Sequence, residues 1–319
     1  VTLAILVVVL LAVAFALGPR AAAETALTFD PLAIGPDPEA YLAKREAATT
    51  GIRPGLQEEI VWADAASKAP TRIAIVYVHG FSASKGEVRP LPDRVAEALH
   101  ANLHFTRLTG HGQDGAAMAR GSVNAWVNDY AEAIAIGRAL GERVVVIGTS
   151  TGAALATWAS AEPRLARDVA ALVLLSPNYG LQAAGSRLLT LPWGAQLARL
   201  LIGRERGFEP LNAMNAALWT TRYPTDALLP LAALTRLARE APVETIRIPA
   251  LFLFCDRDRV VRPELTRAVA ARWGAPHELA AVERCDDPYS HVLAGDAMSP
   301  STTDALVERI VEWIRRTVG

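Results

Sequence analysis

Lysine is nearly missing from this sequence. Among its 32 lysines and arginines only Lys44, Lys68 and Lys85 are lysine, and 33 acidic residues leave a formal net charge of -1. Charge so evenly balanced lacks the basic excess of a nucleic-acid binder, so no nucleic-acid partner is expected. Cysteine is scarcer still, with Cys255 and Cys285 only. Two cysteines make no disulfide framework and are too few for a structural zinc site unless other ligands join them. Six histidines leave few candidates for proton transfer. No internal repeat is visible, which argues against solenoids and propellers. Apolar residues are what the chain has in quantity. At 51% of 319 residues they supply a large core, in one large domain or two small ones.

The apolar residues are not evenly spread. Val1 to Gly18 (VTLAILVVVLLAVAFALG) is unbroken and ends at Pro19-Arg20. A core helix of a soluble domain would show a polar face, and this run shows none. About 18 residues is just enough to span a bilayer. Residues 1–18 are therefore expected to form an uncleaved N-terminal membrane anchor, placing the rest of the chain on the periplasmic side. The alternative is a signal peptide and a secreted protein, although the basic n-region of such a peptide is missing. Residues 19–56 read as a linker or strap. They hold one short helix, Asp37 to Ala48, with Asp37 as cap and Pro38 at its first position.

Residues 57–319 alternate between strand and helix patterns. Strands are expected at 59–62, 72–78, 101–108, 143–147, 169–175, 249–254 and 277–282. Helices are expected at 91–100, 123–140, 150–161, 263–273 and 304–317. Runs such as Arg72 to Val78 (RIAIVYV) suit strands buried on both faces. The alternation argues for an α/β fold, a mostly parallel sheet with helices on both faces. Residues 177–247 break it. They show no convincing strand, and their Leu-, Ala- and Arg-rich helical patterns are interrupted by Pro192, Pro210, Pro224 and Pro230. So long a stretch is not a structureless loop, and a helical cap inserted after a sheet strand is expected.

Gly148-Thr149-Ser150-Thr151-Gly152 is a G-x-S-x-G motif between a buried strand and an Ala-rich helix. That setting is what a nucleophile elbow requires. The glycines let neighbouring backbone approach, the turn exposes the Ser150 hydroxyl, and the helix start aims N–H groups at the site. An oxyanion needs two fixed donors. The backbone N–H of Thr151 supplies one. The N–H of Phe81, in His79-Gly80-Phe81 directly after RIAIVYV, supplies the other, with Gly80 permitting the turn. His79 is expected to shape its own loop rather than to be catalytic.

These motifs resemble the α/β-hydrolase superfamily, particularly the branch of monoglyceride lipases, small carboxylesterases and related serine aminopeptidases. The resemblance runs from about Glu58 to the C-terminus. It rests on His79-Gly80-Phe81-Ser82, Thr109-Gly110-His111-Gly112, the Gly148–Gly152 elbow, Cys255-x-x-Asp258-x-Val260-Val261-x-Pro263 and Ser290-His291-Val292-Leu293. It implies a nucleophile–acid–histidine order, kept here as Ser150, Asp258 and His291. Cys255 stands where the acid motif often begins with Gly, and Thr149 where the elbow often has His. Asp258 is preferred over Asp256 because the following Val-Val-x-Pro fits the family spacing. Asp286 and Asp287 are weaker rivals, expected to be solvated loop charges. His291 is the expected base, with His111 as a rival and His100, His104 and His277 as structural or surface residues.

In the expected reaction Ser150 attacks an acyl carbonyl and His291 takes its proton. Asp258 orients the imidazole, and the Phe81 and Thr151 amides hold the oxyanion. No metal or organic cofactor is expected. Trp193, Phe208, Trp219 and Tyr223 in the insertion suit an apolar acyl pocket but equally suit packing within it. A small-molecule acyl ester, lipid-like or short-to-medium, is the expected substrate. The alternatives are an aminopeptidase or amidase using Glu205, Glu209 or Asp226 to hold an amine, and a membrane-tethered non-catalytic binding protein. Cys255 and Cys285 follow strands that are neighbours in this fold. Free thiols are the simpler expectation, and a disulfide tying the acid loop to the histidine loop is the other.

Overall fold

A computed structural model describes residues 2–319. Its helices and strands run, in chain order, α1 (Thr2–Ala16), α2 (Pro38–Ala47), β1 (Glu59–Val61), β2 (Thr71–Val78), α3 (Leu91–Leu99), β3 (Asn102–Phe105), α4 (Val123–Leu140), β4 (Gly141–Thr149), α5 (Thr151–Ser160), α6 (Pro163–Ala166) and β5 (Val169–Leu175). There follow α7 (Gly194–Ile202), β6 (Glu205–Gly207), α8 (Ala213–Leu218), β7 (Arg222–Pro224), α9 (Leu228–Glu240), β8 (Ala250–Phe254), α10 (Pro263–Ala270), β9 (His277–Ala281) and α11 (Pro300–Thr317).

Seven strands form one sheet in the order β1-β3-β2-β4-β5-β8-β9. All pairs are parallel except β1 on β3. Along β2 and β4 successive side chains point to opposite faces, and both faces are apolar. Val76, Val78, Val144 and Val146 face a core with Trp126, Val127 and Tyr130 of α4 and Leu155 of α5. Ile75, Tyr77, Val145 and Ile147 face a second core with Leu91 and Val95 of α3 and Ile310 and Ile314 of α11. Each fully buried side chain of this size contributes roughly 1.5–3 kcal/mol, so the central strands are the hardest part of the molecule to distort.

Several elements differ from expectation for local reasons. β3 stops at Phe105 because the chain turns away. Arg107 pairs with Glu46 at 2.6 Å, and the Leu108 N–H donates to His79 Nε2 at 3.1 Å. α11 begins at Pro300, four residues earlier than expected, with Asp286 accepting the Ser301 N–H at 2.8 Å. Between β5 and β8 lie helices, but also a short hairpin of β6 and β7 that the sequence did not announce. α9 packs on α5 and carries this segment on the sheet's carboxyl edge.

The expectation of a transmembrane helix over residues 1–18 finds no support among the described residues. Val1 lies outside the described residues. α1 is 15 residues long and rises about 22 Å. Gly18 and Pro19 end it, and the Trp193 side chain donates to the Ala14 carbonyl at 3.0 Å. Among the described residues no helix is long and apolar enough to cross a membrane.

Residues 19–56 run along the domain and are bonded to it. Asn128 of α4 accepts the Thr28 and Phe29 N–H groups at 2.8 and 2.9 Å. Arg45 pairs with Glu58, Asp129 and Glu132. Arg53 reaches the Trp219 carbonyl at 3.0 Å, tying this segment to the residues just after α8.

Candidate active site

The turn between β4 and α5 is as tight as the motif requires. Ser150 has φ 51° and ψ -108°, a backbone conformation that costs about 1–3 kcal/mol in a non-glycine residue. It persists because both sides are pinned. The Ser150 N–H donates to the Leu175 carbonyl at 2.8 Å, and its carbonyl accepts the Asn178 N–H at 3.0 Å. A Cβ on Gly152 would strike the carbonyls of Val78 and His79, and one on Gly148 would stand 2.8 Å from the Ala153 nitrogen. The two glycines thus let the start of α5 press against the end of β2.

The His79-Gly80-Phe81 turn abuts the serine. A Cβ on Gly80 would lie 3.3 Å from Ser150 Cβ. His79 is fully buried and used up within its loop, with Nδ1 bonded to the Gly80 carbonyl at 2.8 Å and Nε2 accepting from Leu108. Burial pushes its pKa down to about 4, so the ring is neutral. Among the described residues neither the Phe81 nor the Thr151 N–H is donated to a protein acceptor. The Phe81 ring stands edge-on to Tyr223 of β7 at 5.3 Å and to His111 at 5.7 Å. His111 Nδ1 faces the Thr109 carbonyl, and burial holds the ring well below the ordinary histidine pKa.

Asp258 and His291 come together across 33 residues of sequence. His291 Nδ1 lies 2.8 Å from Asp258 Oδ2, and both residues are buried. The other oxygen, Oδ1, accepts the Val260 and Val261 backbone N–H groups at 2.8 and 2.9 Å. Burial pushes the His291 imidazole down. The Asp258 carboxylate, then the charges of Glu87 and Asp287, outweigh it and leave the pKa above its usual value. The Ser176 hydroxyl, at the end of β5, donates to the His291 carbonyl at 2.7 Å. Asp256, the local rival, is on the surface in an ion pair with Arg267.

Two acids were misjudged or missed. Asp287, expected to be solvated, is buried. Its Oδ2 accepts the N–H groups of His291 and Val292, both at 2.9 Å, and Oδ1 that of Tyr289 at 3.0 Å. It builds the turn that presents the histidine. Glu87 is buried beneath the Gly80 turn, with Oε2 accepting the Gly80 N–H at 2.7 Å. No periodicity marks either residue, since charged loop residues ordinarily face water. Cys255 and Cys285 are free thiols, so no disulfide joins the two loops. A groove of ≈ 550 Å³ between residues 27–31, α4 and α6 offers arginines and Asp168 but no nucleophile. Among the described residues no cluster could hold a metal ion.

Comparison with known proteins concerns the family and the fold. The sequence profile of the alpha/beta hydrolase family matches residues 75–298. A thermostable monoacylglycerol lipase from Bacillus sp. (strain H-257) is 28% identical over 192 residues, covering 60% of this chain and 72% of that protein. Among solved structures, one reported for the metagenome-derived lipolytic enzymes LipS and LipT superposes with a TM-score of 0.67 at 22% identity, over 83% of this chain and 99% of its own. The monoacylglycerol lipase of Paleococcus ferrophilus superposes with a TM-score of 0.55 at 16% identity, over 82% and 99%. At those identities the likeness is one of fold.

Proposed function

Because this chain belongs to the alpha/beta hydrolase family, we propose that it is a serine hydrolase of carboxylic esters, with Ser150 as nucleophile, His291 as general base and Asp258 as its orienting acid. The observation that carries this reading is the buried 2.8 Å contact of His291 Nδ1 with Asp258. It fixes the tautomer with Nδ1–H toward the acid and leaves Nε2 to accept a proton. Ser150 Oγ attacks the acyl carbonyl as its proton passes to His291. The tetrahedral oxyanion takes the free N–H groups of Phe81 and Thr151. The protonated imidazole then gives its proton to the departing alkoxide, and an acyl-enzyme remains on Ser150. Water, deprotonated by His291, releases the acid.

The lipolytic relatives and the aromatic wall of Phe81 and Tyr223 favour an apolar acyl group. An amine-recognising peptidase is disfavoured because two of the three acids it would use are already engaged, and the third, Glu209, is exposed on the same surface. Glu205 pairs with Arg222, and Asp226 pairs with Arg199, on the outside of the insertion.

The test is hydrolysis of p-nitrophenyl esters from acetate to palmitate by the wild type and Ser150→Ala. Wild-type turnover with a loss of at least about 10⁴-fold in the variant supports the reading. No turnover of any ester, or turnover that survives Ser150→Ala, overturns it.

A further inference from the structure

The proposed reaction leaves one buried carboxylate without a task. Glu87 is 2% exposed and lies in the loop between β2 and α3. Its Oε2 accepts the Gly80 N–H at 2.7 Å and stands 2.9 Å from the Tyr77 hydroxyl. Tyr77 is in turn 3.1 Å from Thr149 Oγ1. An ionised carboxylate only accepts, and a phenol has one proton to give. Tyr77 therefore donates to Glu87 and accepts from Thr149. The result is a directed chain, from Thr149 to Tyr77 to Glu87, closed from the other side by Gly80. One end is the residue before the nucleophile, and the other is the His79–Gly80 peptide, directly before the peptide that carries the Phe81 donor. The second oxygen, Oε1, packs under Gly80, where a Cβ would come within 2.6 Å of it.

We propose that Glu87 is a positioning residue that locks the Gly80–Phe81 oxyanion turn to the nucleophile elbow through Tyr77 and Thr149, and that it adds a third anion to the surroundings of His291. This rests on the roles proposed above for Ser150 and His291. A glutamine of equal volume would fill the same space, so packing alone does not ask for a charge here. Three acids on separate loops bring negative charge to bear on His291: Asp258 after β8, Asp287 on the histidine's own turn, and Glu87 after β2. Burial pushes the Glu87 carboxyl up, while the Gly80 N–H, the Tyr77 hydroxyl and the His291 charge pull it back. Each negative neighbour favours imidazolium, so removing one must move the titration of the base to lower pH.

The full-length chain carries Glu87→Ala, Glu87→Gln or Tyr77→Phe. Two readouts are taken: kcat and KM for a p-nitrophenyl ester across pH, and the rate of Ser150 phosphonylation by an alkyl fluorophosphonate. Phosphonylation needs the serine, the base and the oxyanion donors but no particular ester. Glu87→Ala should lower kcat and the phosphonylation rate together by about 10–100-fold, with KM changed less than about threefold. Glu87→Gln keeps an acceptor for the Gly80 N–H and should recover most of that rate at the optimum. Both Glu87 variants should shift the acid limb to lower pH, and Tyr77→Phe should slow the reaction without shifting it. An unmoved acid limb in Glu87→Gln, or Glu87→Ala within twofold of wild type, overturns the proposal. If Glu87→Ala does not fold, the acid limb of Glu87→Gln decides alone. A wild type that is phosphonylated yet cleaves no ester refutes the ester reading, and phosphonylation across pH then decides the role of Glu87. A wild type that is not phosphonylated refutes both.

Discussion

Removing the Asp287 carboxylate should cost stability and activity by separable amounts. Asp287 accepts three backbone N–H groups, two of them in buried surroundings, from His291 and Val292 on the same oxygen. Bonds to a charged acceptor contribute about 1.5–3 kcal/mol each, and a buried donor left unpaired costs about 1–3 kcal/mol. The Tyr289 N–H is only part-buried and can turn to water. Asp287→Ala should therefore cost about 4 kcal/mol, carried by the two buried donors. Asp287→Asn can keep its amide oxygen on those two and loses only the bond to Tyr289, for about 1–2 kcal/mol. At roughly 2 °C of Tm per kcal/mol for a chain of this size, calorimetry should show falls of about 8 and 3 °C. The turn that carries His291 also loosens in Asp287→Ala, and a displacement near 1 Å costs about 100-fold in rate. kcat/KM should fall between about 10- and 100-fold in Asp287→Ala and only a few-fold in Asp287→Asn. An alanine variant with unchanged Tm and kcat/KM within twofold would refute this account of the histidine turn.

Asp258→Asn should lower kcat by about 10⁴-fold through loss of the correct tautomer. With the Asp258 charge gone, burial dominates, so the acid limb of the residual activity should lie below that of the wild type. A limb that stays put or rises would contradict the electrostatic assignment. Acid should also destabilise the fold before most carboxylates titrate. Burial holds His79 at about 4 and His104 at about 3, whereas the unfolded chain takes up these protons near 6.5. Between those values the unfolded state binds more protons, so stability falls as pH falls. From pH 7 to pH 5 the two should withhold about 4 kcal/mol together. His291, with its raised pKa, opposes them by the stability it gains on protonation. Urea midpoints that do not drop between pH 7 and 5 would argue against neutral, buried imidazoles.

What the sequence made legible follows from how each signal arises. β2, β4 and β5 are readable because strands covered on both faces must be apolar along their buried length, and RIAIVYV, RVVVI and VAALVLL are so apart from the exposed arginines that open the first two. Ser150 is readable because the elbow needs glycine at two fixed offsets, where the structure places backbone carbonyls and amides against them. Asp258 and His291 are readable because each carries local spacing with it. Asp287 and Glu87 are not, since their roles depend on what lies across space. Tyr77 looks like one more apolar position of β2 until its hydroxyl is seen between Glu87 and Thr149. For the N-terminal run, hydropathy reports that a segment is apolar and not how long its helix is.

The bonded strap bears on where such a protein can be cut. The family profile begins at residue 75, inside β2, and so omits the first residues of that strand, all of β1 and the arginine that reaches from residue 53 to the Trp219 carbonyl. It ends at residue 298, before α11, whose Ile310 and Ile314 belong to the core on one face of the sheet. A fragment trimmed to those limits would keep Ser150, Asp258 and His291 yet expose the apolar floor under α3 and cut the insertion loose from its brace. The segment recognisable by descent is thus shorter than the cooperative folding unit, and a minimal expressible version of this protein has to be drawn from its hydrogen bonds.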